Sequence, residues 1–422
     1  MIDQGRQLAV RAAVRLDSGV TAEMALDQEL GAVGADHPQR RRATDLFYQT
    51  VRWQIRLDHA IGRALNRPLR DLQPEVRAIL RLGALELLVE QHPAYAVVDT
   101  SVSLTGKLAP PAKGMVNAVL RRVSQEGDGP EEEDPVTALA IRHAHPRWLA
   151  ERWLARFGED ATVAMMEWDN TRPPLWLRIN RNKGTAAAYE DRFDLTGQHH
   201  PLVPGALAVG AQPVRSLAGF AEGWVSPQGV GSQLVANSLK LAAGWRVADV
   251  CAGHGTKALA LIERTSKLDL LATDLRPEAL RVIGQEARRL GVPAPKTRSM
   301  DAAHPPEELF RSFQAVLVDA PCSGLGTLQR HPELRHRCQM ADVRRLAENQ
   351  TRILAGAAQL VAAGGVLQYA VCSLEAEETT DVIAKFLGRH PDFSAPGAGS
   401  WLSPWEEGTE GFFLMTLTRH GA

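Results

Sequence analysis

Two of the four cysteines in this 422-residue chain follow apolar runs that are typical of buried β-strands. Cys322 comes three residues after the run QAVLVD (314–319), and Cys372 closes the run GGVLQYAVC (364–372). Because α/β sheets bind their ligands at the carboxyl ends of strands, this pattern predicts that both thiols line one ligand site. Taken singly, each cysteine fits equally well as a small buried hydrophobic residue, which is the commoner role of a free cysteine.

Two thiols in one site would suit methylation of carbon 5 of a pyrimidine, which is a poor nucleophile. A thiolate that adds to carbon 6 makes the ring enamine-like, so that carbon 5 can attack an electrophilic methyl group. The adduct must then break by elimination, which needs a base to remove the proton at carbon 5. Asp319, the last residue of QAVLVD, could hydrogen-bond the amino edge or the ring nitrogen of a cytosine and stabilise the adduct.

A second motif predicts a cofactor site. The strand RVADVC (246–251) runs into the glycine-bearing turn and helix AGHGTKALALIER (252–264), where glycine permits close backbone approach and free helix N–H groups can receive polar atoms. The next strand, DLLATD (269–274), ends in Asp274, the expected place for a carboxylate that binds ribose hydroxyls. Asp301 follows a further strand and is expected at the same edge.

The turn does not match two common nucleotide motifs. A P-loop requires G-x-x-x-x-G-K-[ST], which residues 253–257 do not satisfy. The dinucleotide fingerprint requires a third glycine in the stretch that Lys257 and Ala258 occupy. S-adenosylmethionine is therefore the predicted cofactor.

These residues must be positioned by a globular, multidomain chain. The composition is 45% hydrophobic and 23% charged, with 48 Lys+Arg against 49 Asp+Glu, which excludes wholesale disorder. No apolar run approaches the roughly 18–20 residues of a membrane span, and four cysteines do not make a disulfide framework in so long a chain. We therefore expect a cytoplasmic protein without a membrane partner. His336 and Cys338 stand close together, but two potential ligands do not make a zinc site, so no metal is expected.

The acidic stretch EGDGPEEEDP (126–135) is typical of a solvated linker and suggests the first domain boundary. Residues 1–125 show helical stripes and no alternating strand pattern. Residues 136–215 contain a helical stripe (145–158) and a strand-like run (173–180), and residues 216–422 are predicted as a doubly wound α/β domain. The helical region is rich in arginine, which fits either an RNA-binding bundle or merely solvated helix faces.

The helical region resembles the NusB-like RNA-binding domain, in the form that is fused to bacterial ribosomal RNA methyltransferases. The segments that carry this resemblance are LFYQTVRWQIRLD (46–58), VRAILRLGALELL (76–88), PAYAVVDTSVSL (93–104) and MVNAVLRRV (115–123). The remainder resembles the RNA cytosine-carbon-5 methyltransferases, and with the helical region included the similarity is to the RsmB (Sun/Fmu) type, which modifies small-subunit ribosomal RNA. The segments that carry it are DVCAGHGTK (249–257), DAPCSGLG (319–326) and YAVCS (369–373).

The resemblance implies an all-α NusB-like bundle, a small α+β subdomain and a Rossmann-like class I methyltransferase domain. It implies that Cys372 is the nucleophile, that Cys322 helps to release the product, and that Asp319 lies between the two ligands. It also implies a set of cofactor contacts, namely Cys251, Ala252, Gly253, His254, Gly255, Thr256, Lys257, Asp274, Asp301 and Asp319.

RNA contacts are expected in two places. The resemblance implies that the α+β subdomain helps to hold RNA, with Arg178 and Asn180 in its motif. Arg330, His331 and Arg335 form a basic cluster downstream of Cys322 that could meet phosphates beside an extruded target base. The expected partner is small-subunit ribosomal RNA, and the family leads us to expect a monomer.

The cofactor turn departs from the family pattern at two positions. His254 stands where a proline is usual, and Thr256 stands where a glycine is usual. Proline fixes φ, and a β-branched residue would be strained if the second position required φ > 0. Two interpretations therefore remain: an active methyltransferase, or a methyltransferase-like RNA-binding or ribosome-assembly factor that has lost catalysis.

Overall fold

The computed structural model describes residues 3–31, 34, 38–128, 132–210, 212–265 and 267–421. The chain forms two compact units, of which the first comprises Met1–Arg172 with Gln329–His336, and the second Pro173–Leu328 with Arg337–Ala422. Within the described ranges we find no helix that combines the length and the apolar content of a membrane span.

The first unit is helical, as predicted for residues 1–125. Its helices are α1 (Gln4–Asp17), α2 (Ala22–Leu30), α3 (Pro38–Ala64), α4 (Pro74–Leu88), α5 (Ala94–Leu108), α6 (Lys113–Glu126), α7 (Pro135–Arg142), α8 (Arg147–Phe157) and α9 (Glu159–Asn170). Helix α4 begins with Pro74 at its first position, where the missing N–H costs nothing. Its Gly83 lies so close to α6 that a Cβ would come within 2.7 Å of Leu120 Cδ1. The backbone of α4 at Gly83 therefore packs directly against a side chain of α6, and both helices contribute to one apolar core.

The acidic stretch between α6 and α7 is partly held by the first unit. Asp128 accepts two hydrogen bonds from Arg56, at 2.9 and 2.6 Å, and Asp134 caps α7 by accepting from Thr137 N at 2.9 Å. Residues 129–131 of the expected linker lie outside the described residues. The two compact units divide at Arg172 and not at this stretch, so the domain boundaries drawn from the sequence remain predictions.

The segment Gln329–His336 belongs to the first unit, although the residues on either side of it in the chain belong to the second. Arg52 Nη2 donates to the Gln329 carbonyl at 2.6 Å, and His336 Nε2 lies 2.8 Å from the carbonyl oxygen of Val51. The middle of α3 therefore holds both ends of this segment.

The second unit contains two sheets. Its helices and strands are β1 (Leu175–Ile179), α10 (Ala186–Phe193), β2 (Gln198–His199), β3 (Ala206–Val209), β4 (Val225–Pro227), α11 (Val230–Ser238), β5 (Arg246–Asp249), α12 (Thr256–Arg264), β6 (Asp269–Asp274), α13 (Pro277–Leu290), β7 (Lys296–Ser299), β8 (Phe313–Asp319), α14 (Leu334–Arg337, its last residue only), α15 (Met340–Leu360), β9 (Val361–Val371), α16 (Thr380–Arg389), β10 (Phe393–Ser394), β11 (Ser400–Leu402), α17 (Pro404–Glu407) and β12 (Phe412–Arg419). The smaller sheet is antiparallel in the order β2-β3-β1-β4.

The larger sheet has the order β10-β12-β9-β8-β5-β6-β7, with β11 paired to β12. Strands β9, β8, β5, β6 and β7 are mutually parallel, whereas β12 runs antiparallel to β9. Residues of β8 alternate between two cores: Val316 and Val318 pack with α15 and α16, and Ala315 and Leu317 pack with α11, α12 and α13. Helices thus cover both faces of the larger sheet. This confirms the predicted fold class, which comprises an all-α unit, a small α+β element and a Rossmann-like domain.

Strand β5 has β6 on one side and β8 on the other, and the chain order reverses there. Ligands of open α/β sheets bind at such a reversal, outside the carboxyl ends of the strands. The predicted cofactor turn follows β5, Asp274 ends β6, Asp319 ends β8 and Cys372 follows β9. The topology therefore gathers the predicted residues at one edge of the sheet.

Candidate functional site

The turn between β5 and α12 is fixed by main-chain hydrogen bonds. Ala252 N donates to the Thr273 carbonyl at 2.8 Å, and Gly255 N donates to the Ala252 carbonyl at 2.8 Å. Gly253 and Gly255 have φ values of 54° and 81°, a region that favours glycine. A Cβ at Gly255 would lie 2.8 Å from Cγ1 of Ile283, so the turn also has no room for a larger residue there.

His254 and Thr256 do not strain this turn. The positive φ values fall on the neighbouring glycines, and Thr256 begins α12 directly after Gly255. Both side chains are exposed, and they line a cavity of about 280 Å³ together with Arg178 and Glu286. The backbone of the turn therefore accommodates both departures from the family pattern.

Asp249, the last residue of β5, is a buried carboxyl group without a partner. It is 1% exposed, and neither of its oxygens has a hydrogen-bond partner among the described residues. Burial and the nearby charge of Asp319 raise the pKa of Asp249 to about 7, although Lys257 opposes the rise. An unpaired carboxyl group at the cofactor turn is suited to a ligand that carries positive charge or hydrogen-bond donors.

Asp274 stabilises the turn between β5 and α12 through a hydrogen bond. Its Oδ2 accepts from Gly253 N at 2.9 Å, and its Oδ1 accepts from the main chain and side chain of Arg276 at 2.9 and 3.2 Å. Burial raises the pKa of Asp274, but these hydrogen bonds outweigh it and hold the pKa below its ordinary value. Asp274 is therefore ionised at neutral pH and retains lone pairs for a ligand hydroxyl.

Asp301 caps the turn after β7 and is half exposed on its side chain. It accepts from Ala303 N at 2.9 Å and lies 3.0 Å from His304 Nδ1, contacts that lower its pKa.

The four acids of the site act together on Cys251. Burial first, and then the charges of Asp249, Asp319, Asp274 and Asp301, raise the pKa of the Cys251 thiol well above its ordinary value.

Lys257, in the first turn of α12, forms an ion pair with Asp319. Its Nζ lies 2.5 Å from Asp319 Oδ2 and 5.8 Å from the centre of the Phe412 ring. Burial lowers the pKa of the Lys257 ammonium, but Asp319, Cys372 and Asp249 raise it, and the net shift is upward. The ammonium thus stays charged between the carboxylates and the Cys372 sulfur.

The two cysteines predicted to share a site do so. Cys322 Sγ lies 3.1 Å from Cys372 Sγ, and both side chains are partly accessible. The contact with Cys372, burial and the charge of Glu378 raise the pKa of the Cys322 thiol well above its ordinary value. The Cys322 thiol is therefore protonated more readily than it is ionised.

Three of the five side chains expected to contact RNA are buried within the protein. Arg178 is 8% exposed and pairs with both carboxylate oxygens of Glu263, at 3.0 and 2.8 Å. Asn180 is 1% exposed and donates to the carbonyls of Gly223 and Leu290, each at 2.8 Å. The expectation that these two side chains contact RNA has to be corrected, because their polar atoms join β1 to other parts of the second unit.

Arg335 requires the same correction. It is 1% exposed, and its Nη1 donates to the carbonyls of Arg52 and Ala144 at 3.0 and 3.1 Å and to Asn170 Oδ1 at 2.9 Å. The expected basic cluster is therefore reduced to Arg330, which is half exposed, and His331, which is exposed and lies 3.6 Å from a Glu333 oxygen.

Sequence reasoning missed two residues of the site. In the sequence Asp249 lies within the apolar run RVADVC (246–251), and the available signal was that it is close to the end of this predicted strand. Glu378 is 0% exposed and contacts Ser323, the residue after Cys322. The sequence around Glu378 gives no indication of these contacts.

Three family models match consecutive parts of the chain. The model described as "NusB family" matches residues 3–125, the ferredoxin-like domain of "Methyltr_RsmF/B-like" proteins matches 145–213, and "16S rRNA methyltransferase RsmB/F" matches 236–414. Two curated relatives bear the name "Ribosomal RNA small subunit methyltransferase B". The one from Pseudomonas putida is 34% identical over 99% of both chains. The one from Thermus thermophilus is 35% identical over 98% of this chain and 97% of its own.

Solved structures share the fold. The crystal structure of PH0851 covers 99% of both chains with a TM-score of 0.84 at 24% identity. A methyltransferase homologue from Pyrococcus horikoshii covers 68% of this chain and 99% of its own, with a TM-score of 0.59 at 23% identity. The similarity therefore extends from single motifs to the order of the strands and helices.

Proposed function

This chain belongs to the RsmB/F family of 16S rRNA methyltransferases, and on that premise we propose that it methylates carbon 5 of a cytosine in small-subunit ribosomal RNA, with S-adenosylmethionine as the methyl donor. The observation that carries the proposal is the 3.1 Å contact between the sulfurs of Cys322 and Cys372. Methylation of an exocyclic amine needs no thiol, whereas carbon 5 needs a nucleophile at carbon 6 and a second group for release.

The residues around the β5–α12 turn fit S-adenosylmethionine. The unpartnered carboxyl of Asp249 suits the amino group and sulfonium of the donor, and Asp274 retains lone pairs for the ribose hydroxyls. The two glycines leave the turn without side chains at positions where the ligand must approach the backbone. When bound, the donor supplies an electrophilic methyl group. A protein of the same fold from Pyrococcus horikoshii was crystallised with SFG, an analogue of this donor.

Cys372 is the proposed nucleophile because it follows β9 at the carboxyl edge of the sheet and its sulfur is among the groups that act on the Lys257 ammonium. Its sulfur forms a bond to carbon 6, and the electron pair of the 5,6 double bond moves to carbon 5. Carbon 5 would then take the methyl group as the bond between that group and the donor sulfur breaks, with its electron pair left on the donor sulfur. Asp319 faces the same ammonium and is proposed to hydrogen-bond the cytosine edge. Release removes the proton from carbon 5, restores the double bond and returns the electron pair of the sulfur–carbon bond to Cys372. Cys322 is the proposed base for this step, once its own proton has passed to solvent.

The test is methyl transfer from labelled S-adenosylmethionine to unmodified small-subunit ribosomal RNA, with bisulfite sequencing of the product. We expect one protected cytosine with the wild-type protein and none with Cys372→Ala. Cys322→Ala should retain a covalent RNA–protein adduct that survives denaturation. Cys338→Ala is the matched control, because this thiol is buried next to α15 and away from the pair. No transfer, together with retained RNA binding, would favour the binding or assembly factor instead.

A further inference from the structure

Glu378 is a buried carboxylate that contacts the loop carrying Cys322. It lies in a short 3₁₀ turn six residues after Cys372 and is 0% exposed. Its Oε1 accepts from Ser323 N at 2.8 Å, and its Oε2 accepts from Ser323 Oγ at 2.5 Å. A buried carboxylate is costly unless its lone pairs are satisfied, and these two bonds supply that compensation from the residue next to Cys322.

Gln350, on α15, also forms hydrogen bonds that position this loop. Its Nε2 lies 3.0 Å from Glu378 Oε1 and also 3.0 Å from the carbonyl oxygen of Pro321. The Tyr369 hydroxyl lies within hydrogen-bond distance of Gln350 Oε1 and of the Glu378 carbonyl, at 3.1 and 2.7 Å. The peptide groups on both sides of Cys322 are thus fixed by one buried network, which we call the Glu378 network (Glu378, Gln350, Tyr369 and Ser323).

The Glu378 network reaches the second cysteine as well. Ser323 Oγ lies 3.3 Å from Ser373 Oγ, so the residues that directly follow the two cysteines are in contact. Gly326 N, in the same loop, donates to the Cys372 carbonyl at 3.0 Å. The separation of the two sulfurs is therefore set by a few buried bonds between the loops after β8 and β9.

The charges near the two sulfurs differ in sign. The Glu378 carboxylate is among the charges that raise the pKa of the Cys322 thiol, whereas the Cys372 sulfur is among the charges that raise the pKa of the Lys257 ammonium. Negative charge therefore acts on Cys322 and favours its protonated form. The titratable groups that interact with the pair or with its neighbours are Glu378, Lys257, Asp319, Asp249, Cys251 and Tyr369.

We propose that Glu378 is a positioning residue of the reaction: with Gln350 it holds Cys322 against Cys372, and its charge acts on Cys322. This inference rests on the proposed function for its catalytic consequence. Its acid–base part concerns the two thiols alone and is measurable without RNA.

The first experiment is alkylation of the free protein with iodoacetamide as a function of pH, with each cysteine quantified by mass spectrometry. Glu378→Gln has nearly the same shape as the wild type and lacks the charge. At a fixed pH below its titration, Cys322 should be alkylated about tenfold faster in Glu378→Gln, because removal of the Glu378 charge lowers the pKa of its thiol. Glu377→Gln, in the same turn and half exposed, is the matched control and should leave the profile unchanged.

The second experiment is turnover on small-subunit ribosomal RNA. In Glu378→Gln and in Gln350→Met, kcat should fall by about 10²-fold with KM little changed, because a displaced Cys322 slows release and not binding. Both variants should accumulate the covalent RNA adduct expected of Cys322→Ala. Gln350→Met retains the charge of Glu378, so any change in its alkylation profile reports displacement of Cys322 and not loss of that charge, which separates the two effects.

Unchanged alkylation of Cys322 in Glu378→Gln would overturn the action of the Glu378 charge on Cys322. Wild-type kcat without adduct in both folded variants would overturn the positioning role, even if thermal stability fell. If Glu378→Gln does not fold, Gln350→Met decides the positioning role alone by adduct accumulation. If the wild-type protein transfers no methyl group, the proposed function fails, and the alkylation profile still decides whether Glu378 controls the thiol pair.

Discussion

Arg335 Nη1 donates a 3.0 Å hydrogen bond to the main-chain carbonyl of Arg52, which precedes it by 283 residues. Arg52 in turn donates through Nη2 to the carbonyl of Gln329, at the start of the segment that contains Arg335. Both side chains are 1% exposed, and the charge of Asp169 acts on both. Two buried guanidinium groups thus join this segment to α3 through hydrogen bonds to main-chain carbonyls.

Replacement of Arg335 should destabilise the protein. Arg335→Met has a similar volume but leaves Asp169 less compensated and removes the hydrogen bonds to Asn170 Oδ1 and to the Ala144 carbonyl. Removing one member of a buried charge pair costs about 3–5 kcal/mol, so we expect a fall of that order in the free energy of unfolding, measured by urea denaturation. Arg344→Met, on an exposed face of α15, is the control. A change below about 0.5 kcal/mol would contradict the structural role.

Arg330 is the better candidate for a phosphate contact. Its side chain is half exposed and it stands beside the exposed His331. Arg330→Gln should weaken RNA binding and reduce the slope of log K against log salt by about 1, because one fewer phosphate is neutralised. Filter binding at several salt concentrations measures this slope. An unaltered slope would exclude Arg330 from the phosphate contacts, and Arg63→Gln, at the exposed end of α3, serves for comparison.

Gly255→Ala should damage the cofactor turn. The substitution demands φ near 81° from an alanine and brings its Cβ to 2.8 Å from Ile283. We expect a loss of about 1–3 kcal/mol in the free energy of unfolding, and weaker binding of S-adenosylmethionine by calorimetry. Gly284→Ala in α13 is the control, since a Cβ there has no atom within 4 Å and helix propensity should add about 0.5–1 kcal/mol. Wild-type affinity in Gly255→Ala would contradict the assignment of the turn.

Asp249 should make the stability of the cofactor-free protein depend on pH. Its pKa is raised from 3.8 to about 7 on folding. Below pH 4 the group is protonated in both states, whereas between pH 4 and 7 the unfolded chain loses the proton that the folded protein retains. The contribution of Asp249 to stability is therefore complete below pH 4 and is lost as the pH rises through about 7.

The comparison that isolates this effect is Asp249→Asn, followed by denaturant unfolding from pH 4 to 7. The variant should show a flatter decline over this range than the wild type. Asp301→Asn should not flatten it, because the pKa of Asp301 is lowered and its contribution is instead lost as the pH falls through its folded pKa. Parallel curves for Asp249→Asn and wild type would show that the carboxyl is not buried unpaired.

The proximity of the two cysteines could be predicted from the sequence because it depends on local features. Cys322 and Cys372 each follow an apolar run, and parallel neighbouring strands bring their carboxyl ends together whatever the rest of the chain does. The burial of Arg178 and Arg335 could not be predicted in this way. Their partners include Glu263, 85 residues from Arg178, and Arg52, 283 residues from Arg335. A basic residue beside a motif looks the same in sequence whether it faces solvent or a distant carboxylate.

The position of Gln329–His336 in the first unit affects the order in which the protein can be completed during translation. When Arg172 leaves the ribosome, Arg52 and Asp169 are present, but the segment that supplies Arg335 has not yet been synthesised. The N-terminal helices must wait until β5, β6 and β8 have emerged before their last contacts can form. A nascent chain that stops short of His336 therefore lacks these contacts, and a fragment ending at Arg172 should be less stable alone than with this peptide supplied separately.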